Sequence, residues 1–281
     1  MSSRTSRRRT GRPDSHREWL QLVDADGPFL AVPVVEGVYP HGIPSPRAEA
    51  LEALRDAKPS FERAWDAYER SGVAGSADAP LLRAGGEVPA ALADYRQARN
   101  SWVETVLREV LGWGGCRVAE GDASLTACAV SSPDGRETVV PTSALRVEGR
   151  TGALVLVVDP VVPANDAASV RAAVPGSWSA SPVDRMEAML RAPASTCTIG
   201  VVTDGRWWAI VSAAEGTMPA SGIVDALTWI EEPATRNAFI ELLSVRRLLG
   251  GGLPGLLGRQ PRRGRRCRHG GGGGGAGRLR S

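Results

Sequence analysis

Lysine is all but missing from this chain: Lys58 is the only one, and arginine carries the rest of the positive charge. That scarcity removes several chemistries at once. No Gly-x-x-x-x-Gly-Lys loop exists to cradle a nucleotide, and no lysine stands in a strand where a metal-dependent nuclease would use it to orient water. Cysteine and histidine are equally sparse. Cys116, Cys128, Cys197 and Cys267 never form a CxxC pair, and His16, His41 and His269 are scattered, so no zinc-ligand spacing can be assembled. The first three cysteines fit better as small buried hydrophobes. There is no Pro-Pro dipeptide and no Gly-x-Ser-x-Gly elbow. No apolar run reaches the length of about 18 residues that reads as a membrane span. The basic N-terminal stretch has no apolar segment behind it, so a secretory signal is not supported and a cytoplasmic protein without a membrane partner is the expectation.

Negative charge is missing from both ends. Residues 1–12 hold five arginines and residues 259–281 hold eight, with no carboxylate in either stretch. With those thirteen set aside, 21 basic groups face 31 acidic ones in residues 13–258, so a chain of formal charge +3 has a body of −10. A body of that sign does not hold a phosphate backbone by bulk attraction, and any DNA contact must be local or supplied by a partner. Four segments follow: 1–13, a disordered basic tail; 14–86, an N-terminal helical and extended segment; 87–249, a nuclease-like α/β domain closed by a C-terminal helix; and 250–281, a Gly/Arg-rich disordered tail. The last segment, with six consecutive glycines from Gly270 to Gly275, has the composition of G+C-rich DNA read out of frame; a natural low-complexity tail would share it.

Periodicity places the elements. Trp19, Leu20, Leu22 and Val23 predict a short helix, Phe29 to Val35 reads as extended, and Pro33, Pro40, Pro44 and Pro46 predict loop. Arg47 to Lys58 is helical by Ala50, Leu51 and Leu54 and stops at Pro59; Ser60 caps a second helix to Arg70 with Phe61, Trp65 and Tyr68 on one side. Gly72 to Gly86 reads as a hinge. Pro89 opens the longest helix, to about Leu111, where Val103, Val106, Leu107, Val110 and Leu111 form a core-facing stripe. After the glycines at 112–115 the period turns extended. Arg117–Ala119, Leu125–Val130, Thr138–Val147 and Ala153–Val158 read as strands, the last apolar on both faces and therefore central. A helix follows Ser181-Pro182, strands Thr198–Val202 and Trp207–Ser212 form a hairpin across Asp204-Gly205, and Pro233 opens a last helix through Leu248.

The fold class expected is α+β: an N-terminal helical segment, then a mixed sheet flanked by helices in the αβββαβ order of the PD-(D/E)xK restriction-endonuclease core. Such nucleases hold a divalent metal between carboxylates on adjacent strands, add a lysine, and often use a glutamate on the first helix. Glu104 sits at that helix position. Where the second core strand would show Pro-Asp the chain has Pro141-Thr142, and where the central strand would end in Glu-x-Lys it has Val157-Val158-Asp159. The degenerate positions Glu104, Thr142 and Asp159 therefore predict a dead site with no catalytic residue and no metal. Glu104 equally fits a solvent-edge helix carboxylate, and Asp159 a turn residue before Pro160. One alternative is a standalone nuclease with a migrated site drawing on Glu104, Asp159 and Asp134 or Glu148; another is a free-standing adaptor. Arg206 and Trp207 after the hairpin turn, with Arg185, are candidate nucleic-acid contacts, although a half-buried strand with one Trp inward and one outward reads the same way.

Several phrases occur in order: Trp19-Leu-Gln-Leu-Val23, Gly27-Pro-Phe-Leu-Ala-Val-Pro-Val34, Tyr39-Pro-His-Gly42 and the stretch Ser101 to Trp113. Ser181-Pro-Val-Asp-Arg-Met186, Val202-Thr-Asp-Gly-Arg-Trp-Trp-Ala209, Trp229-Ile-Glu-Glu-Pro233 and Arg236-Asn-Ala-Phe239 through Arg246-Arg247-Leu248 continue the series. Together they resemble the front end of class I SAM-dependent DNA methyltransferases of the DISARM and type IIG restriction-modification kind. The resemblance implies an N-terminal region preceding a Rossmann-like domain that methylates adenine N6 in DNA, in phage defence, with DNA and other defence-system subunits as partners. That chemistry needs a glycine-rich strand-to-helix loop and an Asn/Asp-Pro-Pro-aromatic loop around a flipped base. Neither occurs here, so no cofactor is expected in this chain, and S-adenosylmethionine belongs to the resembled full-length family. The expectation is a chain truncated before its catalytic domain, serving as a non-catalytic scaffold or DNA-positioning region.

Overall fold

Strands that are apolar on both faces need cover on both sides, and the sheet is built accordingly. The computed structural model describes residues 15–73, 88–160, 170–172, 178–250 and 252–257. The two basic tails, the frame question in the second, and most of the hinge at 72–86 lie outside the described residues. The strands are β1 (Asp24–Asp26), β2 (Arg117–Val118), β3 (Val130–Ser131), β4 (Thr138–Val139), β5 (Ser143–Val147), β6 (Arg150–Val157), β7 (Ile199–Thr203), β8 (Trp207–Ser212) and β9 (Ala220–Asp225). The helices are α1 (Ser15–Gln21), α2 (Val32–Val38), α3 (Ala48–Arg70), α4 (Ala90–Thr105), α5 (Ala123–Thr126), α6 (Pro182–Leu190), α7 (Pro233–Leu242), α8 (Val245–Leu249) and α9 (Gly252–Leu256).

β3 and β4 form a separate hairpin; the other strands make one mixed sheet in the order β1-β9-β8-β7-β6-β5-β2. β2, β5 and β6 pair antiparallel, and β7 lies parallel to β6. A parallel neighbour requires a long crossover, and the connection containing α6 supplies it. Ser181 and Asp184 form a reciprocal capping box that starts α6 where Ser181-Pro182 predicts it. α6 sets Met186 and Met189 on Leu154, Leu156, Val202 and Val211. Gly200 lets it approach, because a Cβ there would stand 2.3 Å from the Met186 sulfur. On the opposite face α3, α4 and α7 bury Phe61, Trp65, Trp102 and Phe239 against Val155, Val201 and Trp208.

Tertiary packing overrides local expectation at several points. Trp19, Leu54 and Trp65 share one cluster with Val155 and Trp208, and β1 joins the sheet, so residues 15–73 are part of the same core. α3 is a single helix through Pro59, which sits on its exposed side. Pro59 cannot donate to the Arg55 carbonyl, and buried Leu54, Phe61 and Trp65 hold the line on either side. Phe29 to Val35 is not extended: Pro33 stands in the first turn of α2, where a missing N–H costs nothing, and Val35 is buried. Leu125 to Val130 is not one strand either, because Asp122 accepts from the Ser124 N–H at 2.8 Å and caps α5. The core continues past Gly250, with Leu253, Leu256 and Leu257 buried in it. Cys128 and Cys197 are buried, burial raising the Cys197 thiol to about 11, while Cys116 is half-buried. Among the described residues no helix is long and apolar enough to cross a membrane.

Candidate functional site

The end of β6 gathers two of the three degenerate positions. The Thr142 N–H donates to the Val155 carbonyl at 2.7 Å, and its Oγ1 accepts from the Val157 N–H at 2.9 Å. Thr142 thus closes the strand ladder with its own hydroxyl. Two residues beyond Val157, Asp159 lies under α4, where Arg96 and Arg99 stand one turn apart on the same side of the helix. Arg96 grips the carboxylate with both branches, Nε at 3.0 Å from Oδ1 and one terminal nitrogen at 2.5 Å from Oδ2. Arg99, 7% exposed, donates to Oδ1 and to the Val158 carbonyl, each at 2.8 Å. Burial pushes the Asp159 carboxyl upward, but the Arg96 hydrogen bond and the two positive charges outweigh it and hold the group below its ordinary value.

The hairpin turn between β7 and β8 anchors this cluster from beside it. Gly205 has φ +102°, and a Cβ there would stand 2.8 Å from the Arg99 side chain and 2.9 Å from the Phe61 ring. Its carbonyl accepts from the indole N–H of Trp102 at 2.8 Å and of Trp208 at 3.0 Å. The Tyr95 hydroxyl donates to the Asp204 carbonyl at 2.5 Å, and the Asp204 carboxylate accepts from the backbone N–H of Arg206 and Trp207. α4 is therefore fastened to the sheet at the level of Asp159, and Arg99 has little freedom to leave it. A carboxylate whose oxygens accept three bonds from two guanidinium groups is saturated in charge. A divalent cation approaching it would meet two guanidinium charges already paired with it.

The remaining candidates are dispersed. Glu104 pairs with Arg117 of β2 and lies about 7.5 Å along the helix axis beyond Arg99. Asp134 is absorbed in the turn between β3 and β4, accepting from Ser132 Oγ at 2.6 Å and the Arg136 N–H at 3.2 Å. Glu148 is exposed in the turn before β6, and the whole of that strand, about 25 Å of extended chain, separates it from Asp159. A migrated site combining Glu148 with Asp159 is therefore not assembled. Among the described residues no group of three or more His, Cys, Asp or Glu is placed to hold a metal.

The nucleic-acid candidates have partners inside the molecule. Arg185 is 7% exposed, paired with Glu137 at 2.6 Å, bonded to the Trp178 and Ala180 carbonyls and laid on the Trp178 ring. Arg206 is held by Asp225 at 2.9 Å and lies over the rings of Trp65 and Trp207. Trp208 is fully buried on the α3 and α4 face while Trp207 is half-buried on the other, the alternation that a strand imposes. Arg96, Arg99 and Tyr95 are residues that sequence reasoning passed over. The signal was an arginine, Arg99, standing within the apolar stripe of Leu92, Tyr95, Trp102 and Val103, with Arg96 one turn before it. No family model, no curated protein and no solved structure matches this chain.

Proposed function

We propose that this chain is a non-catalytic scaffold or DNA-positioning region built on a restriction-endonuclease-like core, working with an adenine DNA methyltransferase of a restriction-modification or phage-defence system. The observation that carries the reading is the Arg96, Asp159 and Arg99 cluster. A metal-dependent nuclease needs its strand-end carboxylate open to a cation and needs a second carboxylate beside it. Here two arginines occupy the carboxylate, and Thr142 spends its oxygen on the strand ladder. The antiparallel run β2, β5 and β6, followed by a helical crossover into parallel β7, supports the nuclease-like assignment of the core. The link to methyltransferases rests on the ordered phrases from Trp19 to Leu248, and S-adenosylmethionine would be bound by the catalytic partner domain.

The test uses the full chain with supercoiled plasmid and Mg²⁺ or Mn²⁺. The plasmid should stay intact, and calorimetry with S-adenosylmethionine should show no saturable heat. Cutting that disappears in Glu104→Ala would replace this reading with a nuclease, and saturable cofactor binding would place methyl-transfer chemistry in the chain itself. A photo-crosslinkable duplex should label the chain at low salt; no label would remove DNA positioning and leave the scaffold role.

A further inference from the structure

Arg236, near the start of α7, is a buried cation that has no counter-charge among the described residues. It is 8% exposed, and its guanidinium donates only to neutral acceptors: the Trp229 carbonyl at 3.2 Å and Oδ1 of Asn237 at 3.0 and 2.9 Å. Among the described residues no carboxylate forms an ion pair with it. Burial first, and then the like charge of Arg55, hold its pKa below the ordinary arginine value. A buried charge left uncompensated is costly, which directs attention to what could compensate it from outside the chain.

Asn237 leads from Arg236 to a cavity. A guanidinium can only donate, so the amide oxygen must face Arg236 and the amide nitrogen is left over. Asn237 lines a cavity of about 300 Å³ whose other polar side chains are His16, His41 and Ser45, with no carboxylate in its wall. His16 is already spent. Its Nδ1 accepts from the Trp19 indole at 3.2 Å, which leaves Nε2–H to donate to the Tyr39 carbonyl at 2.8 Å. The groups that remain are the His41 imidazole, the Ser45 hydroxyl and the Asn237 amide N–H, all able to donate and none hydrogen-bonded within the described residues.

We propose that this cavity binds a phosphate oxyanion, free or at the end of a small molecule, through His41, Ser45 and Asn237, with Arg236 supplying the compensating charge from behind Asn237. Arg236 acts here as a positioning residue: it fixes the amide with its N–H groups outward and makes the wall positive. At about 30 Å³ per water, the volume seats a phosphoryl group with a small organic body attached. None of these residues belongs to the Asp159 cluster, so the proposal stands apart from the scaffold reading.

The experiment is a titration of the full chain with inorganic phosphate at constant ionic strength, read from the ring resonances of His41. The arginine-rich tails are common to every variant, so they cancel in the comparison. Wild type should give a saturable His41 shift, and Asn237→Asp should abolish it by placing a carboxylate in the wall. The same substitution should raise the Tm in phosphate-free buffer, because Arg236 gains its missing partner. Ser45→Asp, on the exposed rim, should weaken binding about tenfold or more, equivalent to about 1.4 kcal/mol. Tighter binding of glycerol 3-phosphate than of inorganic phosphate would identify a small phosphate ester as the ligand, and equal affinity would identify free phosphate. No saturable His41 shift, or a shift that survives both aspartate substitutions, would overturn the proposal.

Discussion

Arg99 on α4 and Arg236 on α7 are buried to the same degree, 7% and 8% exposed, yet one has a carboxylate and the other has only amide and carbonyl oxygens. Both sites face the same desolvation cost, and the molecule meets it in opposite ways. At α4 the compensation is internal, which locks the end of β6 to the helix layer. At α7 compensation is left to the surroundings, beside a cavity with donors and no acid. A buried ion cluster that is complete holds the fold; one that is incomplete is where an exogenous ion has something to contribute.

The largest effect should come from breaking the complete cluster. Asp159→Ala strands Arg99 in the core and should cost about 3 kcal/mol, the low end for breaking a buried pair because Arg96 and Asp159 both reach solvent. Urea denaturation of the two proteins measures it. A loss under about 1 kcal/mol would mean that Arg99 depends on a carboxylate no more than Arg236 does, and the contrast would collapse.

Paired methionine substitutions sharpen the comparison at a smaller scale. Arg99→Met leaves the Val158 carbonyl without its donor and Asp159 with one cation instead of two, and should cost about 2 kcal/mol. Arg236→Met removes an unpaired charge while keeping most of the volume, and should fall within about 1 kcal/mol of wild type in phosphate-free buffer. The order of the two, read from chemical denaturation midpoints, is the quantity of interest. If Arg236→Met were the more destabilising, Arg236 would be a structural residue with adequate partners, and the cavity would lose its source of charge.

Local pattern made β6, β7, β8, α6 and the stripe from Val103 to Leu111, which runs from the end of α4 into a π-helical turn at Val106–Val110, legible, because each has either alternation, a cap or a helical repeat strong enough to stand alone. β9 was not legible: Ala-Ser-Gly-Ile-Val-Asp has little strand character and is extended because β8 and β1 pair with its two edges. Gly222 within it has a packing purpose that no pattern encodes, since a Cβ there would stand 2.3 Å from the Phe29 ring. Pro59 misled in the opposite direction, punctuating a helix that packing keeps whole. At the site, Asp159 and Thr142 could be placed by strand order, but the partners of Asp159 lie far along the chain, Arg96 and Arg99 about sixty residues before it. The pairing of charges between distant elements is a tertiary fact. It made the degenerate position Asp159 part of a closed ion cluster, and Arg236, which the sequence showed only within a longer phrase, part of an open one.

The smallest effect is a change of slope with pH. Asp159 is held below its ordinary value in the folded chain, whereas in the unfolded chain an aspartate titrates near about 3.9. A depressed folded pKa means that the unfolded state binds the proton more readily. The stabilisation is therefore fully present above about pH 4 and is lost as pH falls through the lower folded value. Asp159→Asn keeps an oxygen for Arg96 or Arg99 but cannot titrate, so its stability should fall less steeply than wild type below about pH 4, all other carboxylates being common to both. Among the described residues no carboxylate pairs with Arg236, so Arg236→Met should follow the wild-type slope. Parallel curves for wild type and Asp159→Asn across that window, measured by urea unfolding at stepped pH, would show that the arginines do not favour the ionised carboxylate, and the closed cluster would then be closed by packing alone.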